Sequence, residues 1–200
     1  TPSLATVCYR FAQSAATGAR ELAVVAFRDT GADTPRYALA TRGQVGSVYG
    51  LAFSPQENAL YAAAFHKRQM HFGPGGPGAI YRIDLAAGTV TQPITVPDAG
   101  SDEHAAGYSS DDARAEAWVG KTSLGDIDIS ADGTELYVVN LFDRRIYRFA
   151  LPSGALVGSF PHGAVGEPWA EDARPFGLAV HAGRVFHGVV RSAESSGLRS

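Results

Sequence analysis

The chain has 200 residues, with 17 basic and 20 acidic side chains giving a formal charge of −3. Only 18% of residues are charged and 23 are glycine, against roughly 25% and about 7% in ordinary soluble domains, a balance that favours turn-rich β structure over helices. Lys67 and Lys121 are the sole lysines, which excludes a phosphate-gripping basic face; the longest apolar run, residues 59–65, is too short to span a bilayer; and one cysteine, Cys8, excludes an internal disulfide framework and a thiolate zinc cluster.

The chain starts at Thr1 without a charged-then-apolar leader, as expected of a mature chain or one cut from something longer. Cys8 alternates with apolar neighbours and reads as a small core residue. Residues 21–27 and 36–41 alternate as two short strands.

From residue 45 onward the sequence repeats itself. Gly50-Leu-Ala-Phe-Ser-Pro-Gln-Glu-Asn-Ala-Leu-Tyr61 aligns without gaps on Asp126-Ile-Asp-Ile-Ser-Ala-Asp-Gly-Thr-Glu-Leu-Tyr137, at an offset of 76. Ile80-Tyr81-Arg82 then matches Ile146-Tyr147-Arg148 at an offset of 66, so the first copy carries ten extra residues between Tyr61 and Ile80. A third copy opens at Gly177-Leu-Ala-Val-His181. The second copy predicts strands at 126–129, 135–140, 145–151 and 155–160, separated by turns at 130–133 and 152–154.

Four antiparallel strands per repeat is the pattern of a β-propeller blade. The expected fold is therefore all-β: part of a β-propeller with four-stranded antiparallel blades at 45–97 and 119–160 and an incomplete blade at 174–200. Residues 1–44 would be a preceding blade or closing strands, with 1–200 one propeller domain or a fragment of it. Two complete copies leave sheet edges open, so further blades are expected from the same or another chain. No segment sustains helical periodicity, although residues 111–118 suit a turn or two of helix.

The residues Leu124-Gly-Asp-Ile-Asp-Ile-Ser-Ala-Asp-Gly-Thr-Glu-Leu-Tyr-Val-Val-Asn140 resemble the repeat of YVTN/NHL-type propellers. Val45-Gly-Ser-Val-Tyr-Gly-Leu-Ala-Phe53, Phe72-Gly-Pro-Gly-Gly-Pro-Gly-Ala-Ile-Tyr81 and Val119-Gly-Lys-Thr-Ser-Leu-Gly-Asp-Ile-Asp-Ile129 resemble uncharacterised propellers of large secreted bacterial proteins associated with SdrD B-like repeats. The resemblance spans residues 36–191. It implies a secreted or cell-surface location and is nearly silent on activity.

In such a meander the turns after the first and third strands share one propeller face, and the connections after the second and fourth share the other. The long segments 66–78, 98–122 and 161–174 all fall in the second set, so insertions collect on one face, where binding chemistry commonly sits. The first insertion brings His66, Arg68 and His71, cations for an anionic sugar or carboxylate, or else a solvated crossover shaped by Gly and Pro. As a metal pair the two histidines lack a zinc signature. The second brings Asp102, His104, Tyr108, Asp111, Asp112, Glu116 and Trp118. Its carboxylates suit calcium or simply solvation, while Tyr108, Trp118 and Trp169 suit sugar stacking if exposed. Trp118 equally suits core burial.

Asp126 and Asp128 alternate with Ile127 and Ile129, and Asp126 is expected at the channel mouth near Asn140, or paired with Lys121. The run from Asp128 to Gly133 opens like an EF-hand loop, but its twelfth position is Val139. No nucleophile elbow or phosphate loop is present in the sequence.

These readings favour a non-enzymatic binding or structural module contacting a glycan, peptide or protein at a bacterial cell surface, with no nucleic acid and no membrane insertion. The expected contact residues are His66, Arg68, His71, Asp102, His104, Tyr108, Trp118, Lys121, Asp126, Arg144 and Trp169. No cofactor is called for, although calcium suits the acidic loop. The alternative is a hydrolase resembling metal-dependent propeller lactonases, with Asp126 and Asn140 as ligands at the channel mouth. A quinoprotein dehydrogenase is weaker still, because tryptophan-rich blade repeats are absent from the sequence.

Overall fold

The structure, a computed structural model, describes residues 4–9, 22–27, 36–104 and 112–196. Three short strands, β1 (Leu4–Val7), β2 (Leu22–Phe27) and β3 (Arg36–Thr41), form an antiparallel sheet. A single helical turn, α1 (Arg42–Val45), leads into the first four-stranded sheet: β4 (Val48–Ser54), β5 (Ala59–Ala64), β6 (Ala79–Asp84) and β7 (Val90–Thr95). After a second turn of helix, α2 (Ala113–Glu116), comes the next: β8 (Leu124–Ile129), β9 (Glu135–Asn140), β10 (Arg145–Ala150) and β11 (Leu156–Pro161). The last sheet pairs β12 (Ala173–His181) with β13 (Arg184–Arg191). Both four-stranded sheets are sequential antiparallel meanders, and the protein is a partial β-propeller. No helix among the described residues is long and apolar enough to cross a membrane.

Period-two alternation explains how the blades stack. Every residue of β5 is buried, yet Tyr61 and Ala63 enter one core while Leu60, Ala62 and Ala64 enter another. Strand β9 repeats the split, with Leu136 and Val138 on one side and Val139 on the other. The core containing Tyr61, Ile80 and Ile94 also contains Ile127, Leu136, Tyr147 and Phe149, so it fills the space between consecutive blades. A second core joins the first blade to the β1–β3 sheet through Val24 and Ala40, and a third joins the second blade to β12 through Leu178. A sheet buried on both faces needs apolar residues at successive positions, which is why these strands read as near-continuous hydrophobic runs.

The first strands of consecutive sheets, β4, β8 and β12, pack against one another. Gly50 permits the approach of β4 to β8: a Cβ there would lie 2.8 Å from the backbone N of Ile127. Gly125 plays the same part towards β12, where a Cβ would meet the Phe176 carbonyl oxygen at 2.8 Å. The tight turn from β8 to β9 is closed by the Gly133 N–H donating to the Ser130 carbonyl at 2.8 Å, with Gly133 in the left-handed region at φ 71°.

Several expectations change here. Asp126 does not pair with Lys121, whose Nζ lies 2.9 Å from Glu194. Its carboxylate instead accepts from the Ile127 N–H at 3.0 Å and, across to β12, from the Leu178 N–H at 3.2 Å. Asp128 repeats this, accepting from Ile129 at 2.8 Å and Val180 at 2.6 Å. The physical reason is that β12 approaches closely and its edge amides need acceptors. Asn140 is likewise engaged: its side-chain amide donates to the Pro97 and Asp98 carbonyls, both at 3.0 Å, and its oxygen accepts from the Phe142 N–H at 2.9 Å. Cys8 is half-buried and free.

Candidate functional site

The connections after the first and third strands of each blade are short, residues 55–58, 85–89, 130–134 and 151–155. Those after the second and fourth include the long segments 65–78, 96–123 and 162–172. Two of the long segments meet. The chain leaving β5 is held by bridges from Phe65 to Ser123 and from Lys67 to Met70, and Gly46 bridges Phe72. Ser123, fully buried, places its hydroxyl 2.9 Å from the Ala64 carbonyl and 2.7 Å from the Pro77 carbonyl, tying the first insertion to the start of the second blade.

This junction assembles a histidine cluster. The rings of His66 and His104 stack at 4.5 Å between centroids with planes 7° apart, and the His71 ring centroid lies 5.0 Å from that of His104. Asp102 Oδ1 is 2.6 Å from His104 Nδ1, and the Lys67 carbonyl is 3.0 Å from His104 Nε2. The buried Asp112 accepts from the Gln69 N–H at 2.6 Å and stands 3.7 Å from His104 Nε2. His66 is 0% exposed, and neither of its ring nitrogens has a hydrogen-bond partner among the described residues.

The three imidazoles differ in charge preference. Burial, reinforced by neighbouring His104, pushes His66 down to about 4, so it is neutral at pH 7. Burial and His104 likewise lower His71. His104 is also desolvated, but its bonds to the Asp102 carboxylate and the Lys67 carbonyl outweigh burial and raise it. Burial opposes the charge on Asp102 as well, and the His104 bonds prevail to hold it below the usual carboxylate range. The ligand atoms of His66, Asp102 and His104 lie within 4.8 Å of one another, an arrangement able to hold a metal ion.

Of the other expected contact residues, Arg68 pairs with Glu116 at 3.2 Å beside the cluster, and Trp118 is half-buried behind α2. Arg144 and Trp169 lie farther along the same face. Arg144 donates to the Glu171 carbonyl at 2.7 Å and, with Arg145, His162 and Val165, lines a shallow cleft. Trp169 is half-buried at the start of the 3-10 turn Ala170–Asp172. Lys121 pairs with Glu194, which also binds Arg174 at 2.6 Å. Asp126 faces β12. Tyr108 and Asp111 lie outside the described residues. The histidines and Asp102 were visible in sequence as separate features of two insertions. Their meeting was not, because His66 and His104 are 38 residues apart and no fixed spacing encodes the approach of two loops.

No family model matches the chain. It is 30% identical over 164 residues to Colossin-C and over 168 residues to Colossin-D, both of Dictyostelium discoideum. Each match covers 78% of this chain but only 16% and 18% of the respective relatives. Among solved structures, a virginiamycin B lyase from Staphylococcus aureus is 20% identical with a TM-score of 0.45, the match covering 80% of this chain and 39% of that one. An auxiliary nutrient binding protein from Bacteroides ovatus is 15% identical with a TM-score of 0.48, over 79% of this chain and 28% of that one. AztD from Citrobacter koseri is 14% identical with a TM-score of 0.46, over 86% and 40%.

Proposed function

We propose that this chain is a non-enzymatic binding propeller module of a secreted or cell-surface protein, contacting a glycan, peptide or protein through its insertion-bearing face. The observation that carries this reading is the one-sided distribution of the loops. Segments 65–78, 96–123 and 162–172 all emerge on one face and bring Arg68, Trp118 and Trp169 with them, joined by Arg144 of the short β9–β10 connection, while the opposite face of the two four-stranded blades has short turns. A rigid stack of buried sheets holding irregular loops on one side suits recognition. Half-buried indoles with a polar edge and arginine forks suit sugars and carboxylate-bearing peptides.

The channel-mouth hydrolase is less well supported, since Asp126 and Asn140 both bond to backbone groups. Location at a bacterial surface and kinship with YVTN/NHL propellers and SdrD B-associated proteins rest on the sequence resemblance. The match to less than a fifth of the Colossin-C and Colossin-D lengths suits one module of a longer protein. Further blades from the same or another chain would cover the exposed Phe186 and Val190 of β13.

Glycan-array and peptide-library binding to the purified chain tests the reading. Saturable binding lost on Trp169→Ala and Arg144→Ala, without lactone turnover, is the expected result. Lactone hydrolysis abolished by Asp126→Asn would overturn it, as would binding untouched by any loop-face substitution.

A further inference from the structure

We propose that His66, Asp102 and His104 form a binding site for one transition-metal dication of the zinc class, clamping the loop after β5 to the loop after β7. The donor set is two imidazoles and one carboxylate, with ligand atoms within 4.8 Å of one another. Calcium prefers an all-oxygen shell, whereas two imidazoles with a carboxylate match zinc and its neighbours. The ion differs from the calcium considered for the acidic loop, and Asp102 is the carboxylate common to both.

One feature of the cluster lacks a partner and a second is preset for a ligand. The first is His66: a fully buried imidazole whose two nitrogens have no hydrogen-bond partner among the described residues loses its hydration with no compensation from them. A metal ion would supply that missing partner. The second is His104, whose Nε2 meets the Lys67 carbonyl at 3.0 Å. Donation to a backbone carbonyl from one ring nitrogen is the arrangement that orients ligating histidines, and it leaves Nδ1 facing Asp102 Oδ1.

The ion would enter between these two atoms, displacing the proton they share, which leaves to solvent. Their separation of 2.6 Å would open to admit it. His66 now stacks parallel to His104, so its ring must turn for a nitrogen to reach the same ion. Among the described residues no hydrogen bond to either ring nitrogen resists that rotation. Three protein ligands leave a fourth position for water, or for His71, the neighbouring ring. Asp102, partly exposed, gives the ion a path from solvent.

Because His66 belongs to the first insertion and Asp102 and His104 to the link between blades, a bound ion would cross-link the two longest loops of the binding face. Metal binding at this cluster is read out with the metal alone, whatever partner the loop face contacts.

The test is titration of the EDTA-treated chain with Co2+, followed by visible d–d absorption, and thermal unfolding with added Zn2+. A one-to-one endpoint with an intense tetrahedral spectrum, and a Tm raised by several degrees with Zn2+, is expected. Asp102→Asn, at a partly exposed position that leaves the fold intact, should weaken Co2+ at least tenfold. His66→Leu should remove the tetrahedral spectrum. A weak octahedral spectrum with no Zn2+ effect on Tm would overturn the proposal, as would both variants binding Co2+ like the wild type. A chain that takes Co2+ in this way but binds no glycan or peptide would count against the module reading alone.

Discussion

Asp128→Asn tests whether β8 holds β12 through side chains rather than through a backbone ladder. Asp128 has two oxygens in use, one accepting from Ile129 N–H at 2.8 Å and the other from Val180 N–H at 2.6 Å. Asparagine keeps the shape but has one oxygen, so one of the two amides would face an NH2 group. Loss of a hydrogen bond to a charged acceptor costs about 1.5–3 kcal/mol. Since 1.4 kcal/mol is about a tenfold change in an equilibrium, the Val180 amide should lose roughly ten- to hundredfold of its hydrogen-exchange protection. The Leu136 amide, in the second blade's inner core, should change far less in the same experiment. Asp128→Ala, which removes both acceptors, should open β12 further. Val180 protection within twofold of wild type in both variants would refute the reasoning.

Other expectations follow from packing and charge. Leu136→Ala, at a fully buried position between the blades, should cost about 2–5 kcal/mol in urea unfolding. Gly50→Ala forces a Cβ to within 2.8 Å of the Ile127 backbone N and should lower stability by about 1–3 kcal/mol, visible as an earlier urea midpoint with unchanged slope. Removing the Ser123 hydroxyl, which bridges the first insertion to the second blade, should cost about 1 kcal/mol as Ser123→Ala. Asp172 is held below the usual carboxylate range, first by the Ser195 N–H and then by its hydroxyl. A depressed folded value stabilises above the unfolded one of 3.8 and is lost as pH falls through the lower folded value. Acidification into that range should release the Ser195 amide to exchange, and Asp172→Asn should expose it already at neutral pH.

The blade pattern was largely legible. The strands expected at 135–140 and 36–41 are those observed, and the other second-repeat strands shift by one or two residues at one end or both. The reason is local: alternation and Gly- or Asp-containing turns act over a few residues, and a gapless internal repeat supplies the same signal twice. The side of the propeller carrying the insertions followed from counting strands. The partners of charged residues did not. Lys121 and Asp126, five positions apart, suggested an ion pair, but a β-strand carries its side chains to neighbours set by blade packing, and these proved to be Glu194 for one and the Leu178 amide for the other.

By itself, then, the sequence determined the all-β class, the four-stranded repeat, and the face on which the long loops emerge, because each depends on periodicity and turn chemistry within a short stretch of chain. Only the tertiary structure decided that His66, with no hydrogen-bond partner among the described residues, stacks on His104 beside Asp102, and that Asp126 and Asp128 serve the edge of β12. Those contacts join residues 36 to 52 positions apart. Their proximity is set by how consecutive sheets stack and how irregular loops fold over them, and no local preference of the chain records that distance.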